Sequence, residues 1–338
     1  MNESLFDRKF KVVRFNETGT EDVLNIENEL TAKPASDEVV LKIEACGLNR
    51  SEIMFRQGYY VQRPSFPSRI GYEASGEIVA LGENVTGWSV GDKVSTLPLI
   101  NMSDQGVWAQ YATIPAKSLI KRPAGLSATE AAAVWVAYPT AYGALIDVAD
   151  LQAGEYAIIS AASSSVGIAA IQIALKVGAI PIATTRTTDK RDELLNHGAA
   201  HVIVTDNENI VERVHEITNG KGARVIIDPI AGPGVDALAQ AAAQDGIIVI
   251  FGMLSPEPTP FPMFPALSKA LSVRGYTVDE IYRNPDRWSK AEIFLLEGFA
   301  DKSLKPTITK TFKLDEVRKA QRFMDSSDKV GKVVIELR

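Results

Sequence analysis

Tyr156-Ala-Ile-Ile-Ser-Ala-Ala-Ser-Ser-Ser-Val-Gly167 is the run on which the reading of this chain turns. It begins as a short buried strand, passes through a turn of very small residues and enters the apolar helical run Ile168-Ala-Ala-Ile-Gln-Ile-Ala-Leu-Lys-Val177. Strand, small-residue turn and helix together open a dinucleotide-binding βαβ unit. A pyrophosphate has to approach the backbone closely, which demands tiny side chains, and it then meets the free N–H groups and positive dipole of the helix start. Glycines usually fill such a turn. Here Ser163, Ser164 and Ser165 stand in their place and only Gly167 remains, so the serines carry a bulk and a bias against positive φ that glycine avoids.

Downstream of the turn, strand-like and helical runs alternate. Ile180–Thr185, His201–Thr205, Arg224–Asp228, Gly246–Phe251 and Ser272–Thr277 are rich in Val and Ile, and helical segments are expected near 188–197, 209–218, 234–243 and 264–270. Near-continuous apolar strands separated by helices predict a parallel sheet covered on both faces, six strands in a doubly wound fold. Upstream, from Lys9 to about Ala124, the pattern changes to short β runs such as Val39–Ala45, Gly76–Leu81, Lys93–Leu97 and Trp108–Ile114, broken by Gly-Glu-Asn and Val-Gly-Asp turns. That spacing predicts a compact, partly barrel-like β domain. Ser127 and Glu130 form a capping-box pattern ahead of an alanine-rich run, and Pro139 interrupts that helix or separates it from a second one, Thr140 to about Val148. A helix near 286–300 and the strand Lys332–Glu336 close the chain. The tail is expected to rejoin the first domain. The expected division is 1–125 with 280–338 for the β domain and 126–279 for the α/β domain.

Composition narrows the function. A net charge of −6 argues against a general nucleic-acid or anionic-membrane surface. The N-terminus lacks a secretory pattern and no apolar run reaches the about 20 residues of a membrane helix, so a cytoplasmic protein is expected. Cys46 is the single cysteine, which excludes an internal disulfide and a Cys-rich metal cluster. His197, His201 and His215 are scattered and read as surface or turn residues.

Cofactor preference is read at the end of the second strand of the α/β domain. An NAD site places an acid there, about 20 residues past the turn, for the ribose hydroxyls. This chain has Thr184 and Thr185, then Arg186, with Lys190 one helical turn on. Hydroxyls with Arg and Lys suit a 2′-phosphate, which a carboxylate would repel, so NADP(H) is expected. Asp189 is assigned to the first helical turn, where an acid meets the helix dipole.

Seven motifs in order resemble the medium-chain dehydrogenase/reductase superfamily, in its zinc-free quinone oxidoreductase and enoyl reductase branch. They are Ala45-Cys-Gly-Leu-Asn-Arg-Ser-Glu52, Arg56-Gln-Gly-Tyr-Tyr60, the run Gly71–Gly82, Gly91-Asp-Lys-Val94, Pro139-Thr-Ala-Tyr142, Ala161–Gly167 and Gly331-Lys-Val-Val334. The resemblance implies a Rossmann doubly wound sheet inserted into a GroES-like β domain. It implies no metal site: the zinc branch has a Cys where this chain has Asn49 and a His where it has Tyr72, and its structural-zinc cysteines are missing between Leu97 and Trp108.

By position, the resemblance puts Asn49 near the nicotinamide ribose and Thr140 on the nicotinamide side. Ser163, Ser164, Ser165 and Val166 would take the pyrophosphate; Thr185, Arg186 and Lys190 the adenosine ribose and its phosphate. Ile230, Gly252 and Met253 would flank the cofactor, and Lys332 is a further contact. Tyr60 matches a phenol that binds or protonates a substrate carbonyl. Read as residues alone, Asn49 is equally a helix cap, Tyr60 or its neighbour Tyr59 is an aromatic plug, and Asp228 is a strand-end turn former. Met54 replaces a pocket tyrosine of the quinone reductases.

The implied activity is NADPH-dependent, zinc-independent reduction of quinones or conjugated carbonyl compounds by a homodimer. Two alternatives stay open. One is a 2-enoyl-thioester reductase, with Arg50, Arg56, Arg63 and Arg69 available to carrier phosphates. The other is an NADPH-binding redox-responsive or structural protein without significant turnover.

Overall fold

A computed structural model describes residues 5–326 and 329–337. The chain forms two compact units, Met1–Val136 with Ile308–Arg338, and the continuous segment Ala137–Thr307.

The second unit holds the expected sheet. Its six strands lie in the spatial order His201–Val204, Ile180–Thr185, Tyr156–Ile159, Ala223–Asp228, Ala242–Ile250 and Ser272–Gly275, all paired in parallel. The order reverses between Tyr156–Ile159 and Ala223–Asp228. In open α/β sheets ligands bind outside the carboxyl ends of the strands at such a switch point. Ile158, Ile182, Ile203, Ile226 and Ile248, one from each of five strands, meet in a single buried cluster with Val214 and Leu238 from the covering helices. Burial of both sheet faces is why these strands read as continuous apolar runs.

The first unit is β-rich. Its larger sheet runs Ile308–Lys313, Lys332–Glu336, Glu38–Gly47, Ala74–Leu81, Lys93–Thr96 and Leu119–Lys121, with Tyr111–Pro115 also paired to Glu38–Gly47. A three-stranded sheet of Asn25–Leu30, Lys9–Phe15 and Ser68–Arg69 lies beside it in the same unit. The last strand joins the first domain as expected: Lys332–Glu336 pairs antiparallel with Glu38–Gly47, Val334 opposite Gly47.

The domain boundaries differ from those expected. They fall at 136/137 and 307/308 instead of 125/126 and 279/280, for two packing reasons. The capped helix Ala128–Ala131 stays with the β unit, where Ala128, Ala132 and Ala133 pack on Ala45 and Val334. Helix Pro285–Ala300 belongs to the α/β unit because it buries Ala291, Leu295 and Phe299, with Phe299 edge-on to Tyr138 at 5.2 Å and Phe294 against Tyr142 at 5.1 Å. Pro139 sits in the first turn of helix Ala137–Tyr142, where its missing N–H breaks no helical bond.

Candidate functional site

In the α/β unit the strand Tyr156–Ile159 ends in a turn that feeds helix Ser165–Lys176. Ser164 is the helix cap; its Oγ accepts from the Gly167 N–H at 3.0 Å. The N–H groups of Ser165 and Val166 stand in the first helical turn, ahead of the intrahelical ladder, as an anion site requires. Gly167 is needed for contact: a Cβ there would come 2.4 Å from the Ala162 carbonyl oxygen, so only glycine lets helix and strand approach this closely. The left-handed residue of the turn is Ala161, at φ 48°. None of the three serines has positive φ. The conformational burden expected on the serines therefore falls on Ala161, and they occupy a turn that an L-residue adopts freely. Small side chains, a capped helix start and the close helix–strand contact fit a pyrophosphate cradle.

At the end of the second strand Thr184 and Thr185 are buried and Arg186 is exposed. Lys190, at the end of the short 3₁₀ turn Thr188–Lys190, reaches back so that its Nζ donates to Ser163 Oγ at 3.4 Å. This brings a predicted 2′-phosphate ligand and a predicted pyrophosphate ligand together. Asp189 is exposed, and the Thr187 hydroxyl holds its carboxyl below the usual range. On the other side of the switch point, Asp228 is buried and accepts from the Ala231 N–H at 2.7 Å. Burial pushes its carboxyl up, against the hydrogen bonds from Ala231 and Ile230. It forms the strand-end turn expected of it, supporting Ala231 at φ 60°. The following loop is tied to this turn by Leu254 N–H to Pro229 O (3.1 Å) and Ser255 N–H to Ile230 O (2.9 Å). Ile230, Gly252 and Met253 thus form one block, with Met253 exposed. Thr140 is buried in helix Ala137–Tyr142.

The β unit carries the other predicted residues. Asn49 precedes helix Arg50–Arg56, and its backbone N–H donates to Glu52 Oε2 at 2.7 Å, half of a capping box. Its carboxamide points elsewhere. Nδ2 donates to Glu73 Oε2 at 3.1 Å, and Oδ1 accepts from Lys332 Nζ at 2.6 Å. Lys332 also bonds Glu73, whose Oε1 accepts from the Val136 N–H at 3.0 Å. Cap and cluster member are thus both correct descriptions of Asn49, one for its backbone and one for its side chain. Glu52, Glu73 and Lys332 are no more than 1% exposed and Asn49 is 6% exposed, so this is an ionic cluster out of water. Burial raises the Glu52 carboxyl to about 8, with the nearby Glu73 charge adding to it and the Asn49 N–H and Lys332 opposing it.

Lys332, expected as a cofactor contact, has its ammonium engaged by Asn49 and Glu73. Glu52 and Glu73 were missed by sequence reasoning, although each left a trace. Glu52 completes an Asn-x-x-Glu capping pattern, and Glu73 is a lone acid in the small and apolar run Ile70-Gly-Tyr-Glu-Ala-Ser75.

Tyr60 is half-buried against the same apolar core as Tyr72 and Ile53, whereas Tyr59 is 73% exposed and plugs nothing. Tyr72 shares a hydrogen bond with the Ser51 hydroxyl; burial first, then the neighbouring Tyr60 and Glu52, pushes its phenol well up. Cys46 is buried, with Sγ 3.1 Å from the Val107 carbonyl, and burial pushes its thiol up, which makes it a poor nucleophile. Among the described residues no three His, Cys, Asp or Glu side chains converge in a way that could hold a metal ion.

Comparison with known proteins agrees with this geometry. Residues 35–124 match the alcohol dehydrogenase GroES-like domain and residues 165–297 the zinc-binding dehydrogenase domain. A quinone oxidoreductase-like protein 2 homolog of Nematostella vectensis is 31% identical over 334 residues, covering 97% of this chain and 89% of the relative. The crystal structure of Escherichia coli quinone oxidoreductase complexed with NADPH superposes with a TM-score of 0.89 at 26% identity, covering 96% of this chain and 99% of that one. The CurK enoyl reductase structure gives 0.86 at 25% identity, covering 97% and 99%. With both domains matched in order and the relatives covered along nearly their whole length, the chain belongs to the medium-chain dehydrogenase/reductase superfamily, in its quinone oxidoreductase-like branch.

Proposed function

We propose that this oxidoreductase uses NADPH, without zinc, to reduce quinones or conjugated carbonyl compounds. The observation that carries the cofactor choice is the end of strand Ile180–Thr185. No carboxylate follows it directly; Arg186 does, and the Lys190 ammonium lies 3.4 Å from Ser163 Oγ. Lys190 beside the turn and Arg186 at the strand end favour a ribose that carries a phosphate.

When bound, NADPH supplies the hydride. The chain's own part is to bind, orient and protonate. Ser163 to Val166 offer N–H and hydroxyl groups to the pyrophosphate, and Thr185, Arg186 and Lys190 hold the adenosine end. Thr140, Ile230, Gly252 and Met253 bracket the remainder, and the Asn49 carboxamide serves the nicotinamide ribose. Tyr60 donates a hydrogen bond to the substrate carbonyl oxygen, stabilising the enolate as its charge develops. Met54 in place of a tyrosine favours apolar substrates.

The thioester alternative draws support from the likeness to an enoyl reductase, but its arginines are already engaged. Arg56 pairs with Glu21 at 3.7 Å, Arg69 with Glu29 at 2.6 Å and Arg50 with Asp325, and Arg63 donates to the Gly58 carbonyl at 3.0 Å. Carrier phosphates would have to displace these partners, which weighs for small carbonyl or quinone substrates.

A homodimer in the cytoplasm belongs to the same proposal. Its support is the edge strand Ser272–Gly275, flanked in sequence by helix Met263–Lys269 with Met263, Phe264 and Leu267 exposed. No described helix is long and apolar enough to cross a membrane.

The test is an NADPH-oxidation screen over quinones, enones and enoyl thioesters, with Tyr60→Phe run in parallel. Turnover of quinones or enones is expected, with kcat lowered about 10²-fold in the variant. Full activity of Tyr60→Phe would remove the proton-donor role. Turnover of thioesters alone would favour the alternative, and tight NADPH binding with no turnover would make the chain a non-catalytic binder.

A further inference from the structure

Asn49 is held on both sides of its carboxamide by groups that can each play only one part. An ammonium has donors and no acceptor; a carboxylate has acceptors and no donor. Lys332 faces Oδ1 and Glu73 faces Nδ2. Turned over, the amide would set its NH2 against the ammonium and its oxygen against the carboxylate, losing both charge-assisted bonds. One orientation is therefore imposed.

The holders are themselves held. Glu73 keeps its second oxygen on the Val136 N–H. Lys332 is delivered by the antiparallel pairing of Lys332–Glu336 with Glu38–Gly47, where Leu48 N–H also donates to Val333 O at 3.0 Å. Gly47 leaves room for both: a Cβ there would lie 2.8 Å from Lys332 Cε, 2.9 Å from Glu73 Oε2 and 1.9 Å from the Ala132 carbonyl oxygen. The second carboxyl group facing the cluster, that of Glu52, takes the Asn49 and Tyr72 backbone N–H groups and leaves the Asn49 amide to Glu73 and Lys332.

We infer that Glu73 and Lys332 are positioning residues, a buried ion pair that presents the Asn49 carboxamide to the nicotinamide ribose in one fixed orientation. The inference rests on the cofactor reading given above for Asn49. It removes Lys332 from the direct cofactor contacts. It also accounts for charge in this place, since a buried ion pair is often no more stabilising than apolar residues of the same volume. Fixing a polar group in one orientation is work that apolar residues cannot do.

The test is a cycle of four full-length proteins: the parent, Asn49→Ala, the paired replacement Glu73→Gln/Lys332→Met, and the triple variant. Replacing both charges together leaves neither one unpaired in the core. NADPH dissociation constants are read from nicotinamide fluorescence, and unfolding midpoints from urea titration. The paired replacement is expected to weaken NADPH about tenfold, and to change nothing further once Asn49 is alanine. A folded paired variant that binds NADPH like the parent would overturn the inference. So would effects that multiply in the triple variant, which would mean that Lys332 meets the cofactor itself. If the parent does not bind NADPH, the cofactor reading fails and the positioning role falls with it. The urea cycle identifies that case, because the three side chains would still be coupled in stability.

Discussion

The small-residue turn at Ala161–Gly167 and the polar cluster around Asn49 each set polar groups against an apolar core, by opposite means. The turn is local. Its cap bond spans three residues, its close contact joins Gly167 to Ala162, and the groups proposed to meet an anion are backbone N–H. The cluster is non-local. Its ammonium comes from 283 residues away and its carboxylate from 24, and every member is a side chain withdrawn from water. A local device tolerates change because water can replace a lost partner. A buried ionic device does not, because losing one charge strands the other.

The sharpest way to break this contrast is Lys332→Met alone, which leaves Glu73 charged and buried. A loss of about 3–5 kcal/mol in urea unfolding is expected, with much of it restored when Glu73→Gln is added. A loss below about 1 kcal/mol would mean that the pair is no more costly to break than an exposed one.

Next comes Arg186→Ala/Lys190→Ala, at the exposed phosphate side. NADPH affinity should fall about 100-fold while NADH affinity and the unfolding midpoint hardly move. Equal losses for both cofactors would show that these cations do not read the phosphate.

Ser164→Ala is smaller again. Removing the cap should lower stability by about 1 kcal/mol, a modest effect because a helix N-terminus can turn to water.

The last effect is a slope against pH. The Glu52 carboxyl stands at about 8 in the folded protein against an ordinary 4.5. The folded state therefore holds this proton more tightly, and the stability gained is complete below the ordinary value and lost as pH rises through about 8. Glu52→Gln cannot lose that proton, so melting at successive pH values should move in the variant's favour between about pH 6 and about pH 9. A constant difference would show that Glu52 does not titrate there.

Legibility in the sequence follows the same division. The parallel sheet was readable because both its faces are buried and its strands are continuous runs of Val and Ile; strands 180–185 and 201–204 fall within a residue of expectation. Lys190 and Arg186 could be proposed because they follow the turn at a fixed spacing along one βαβ unit. The role of Lys332 could not, since a lysine opening a C-terminal strand gives no sign that it faces a carboxylate at 73. The four arginines at 50, 56, 63 and 69 read along the chain equally as a basic surface and as solvated charges; only the fold shows that Arg50, Arg56 and Arg69 pair with Asp325, Glu21 and Glu29 and that Arg63 bonds the Gly58 carbonyl.

The amino-acid order by itself determined the fold class, the turn that suits a pyrophosphate and the basic residues that follow the second strand, because each depends on neighbours within one supersecondary unit. Tertiary structure alone decided that Ala161 bears the left-handed conformation, that helix Pro285–Ala300 belongs to the α/β unit, and that Glu73 and Lys332 grip Asn49. Those outcomes depend on which distant surfaces are buried against each other, and periodicity along the chain carries no record of that choice.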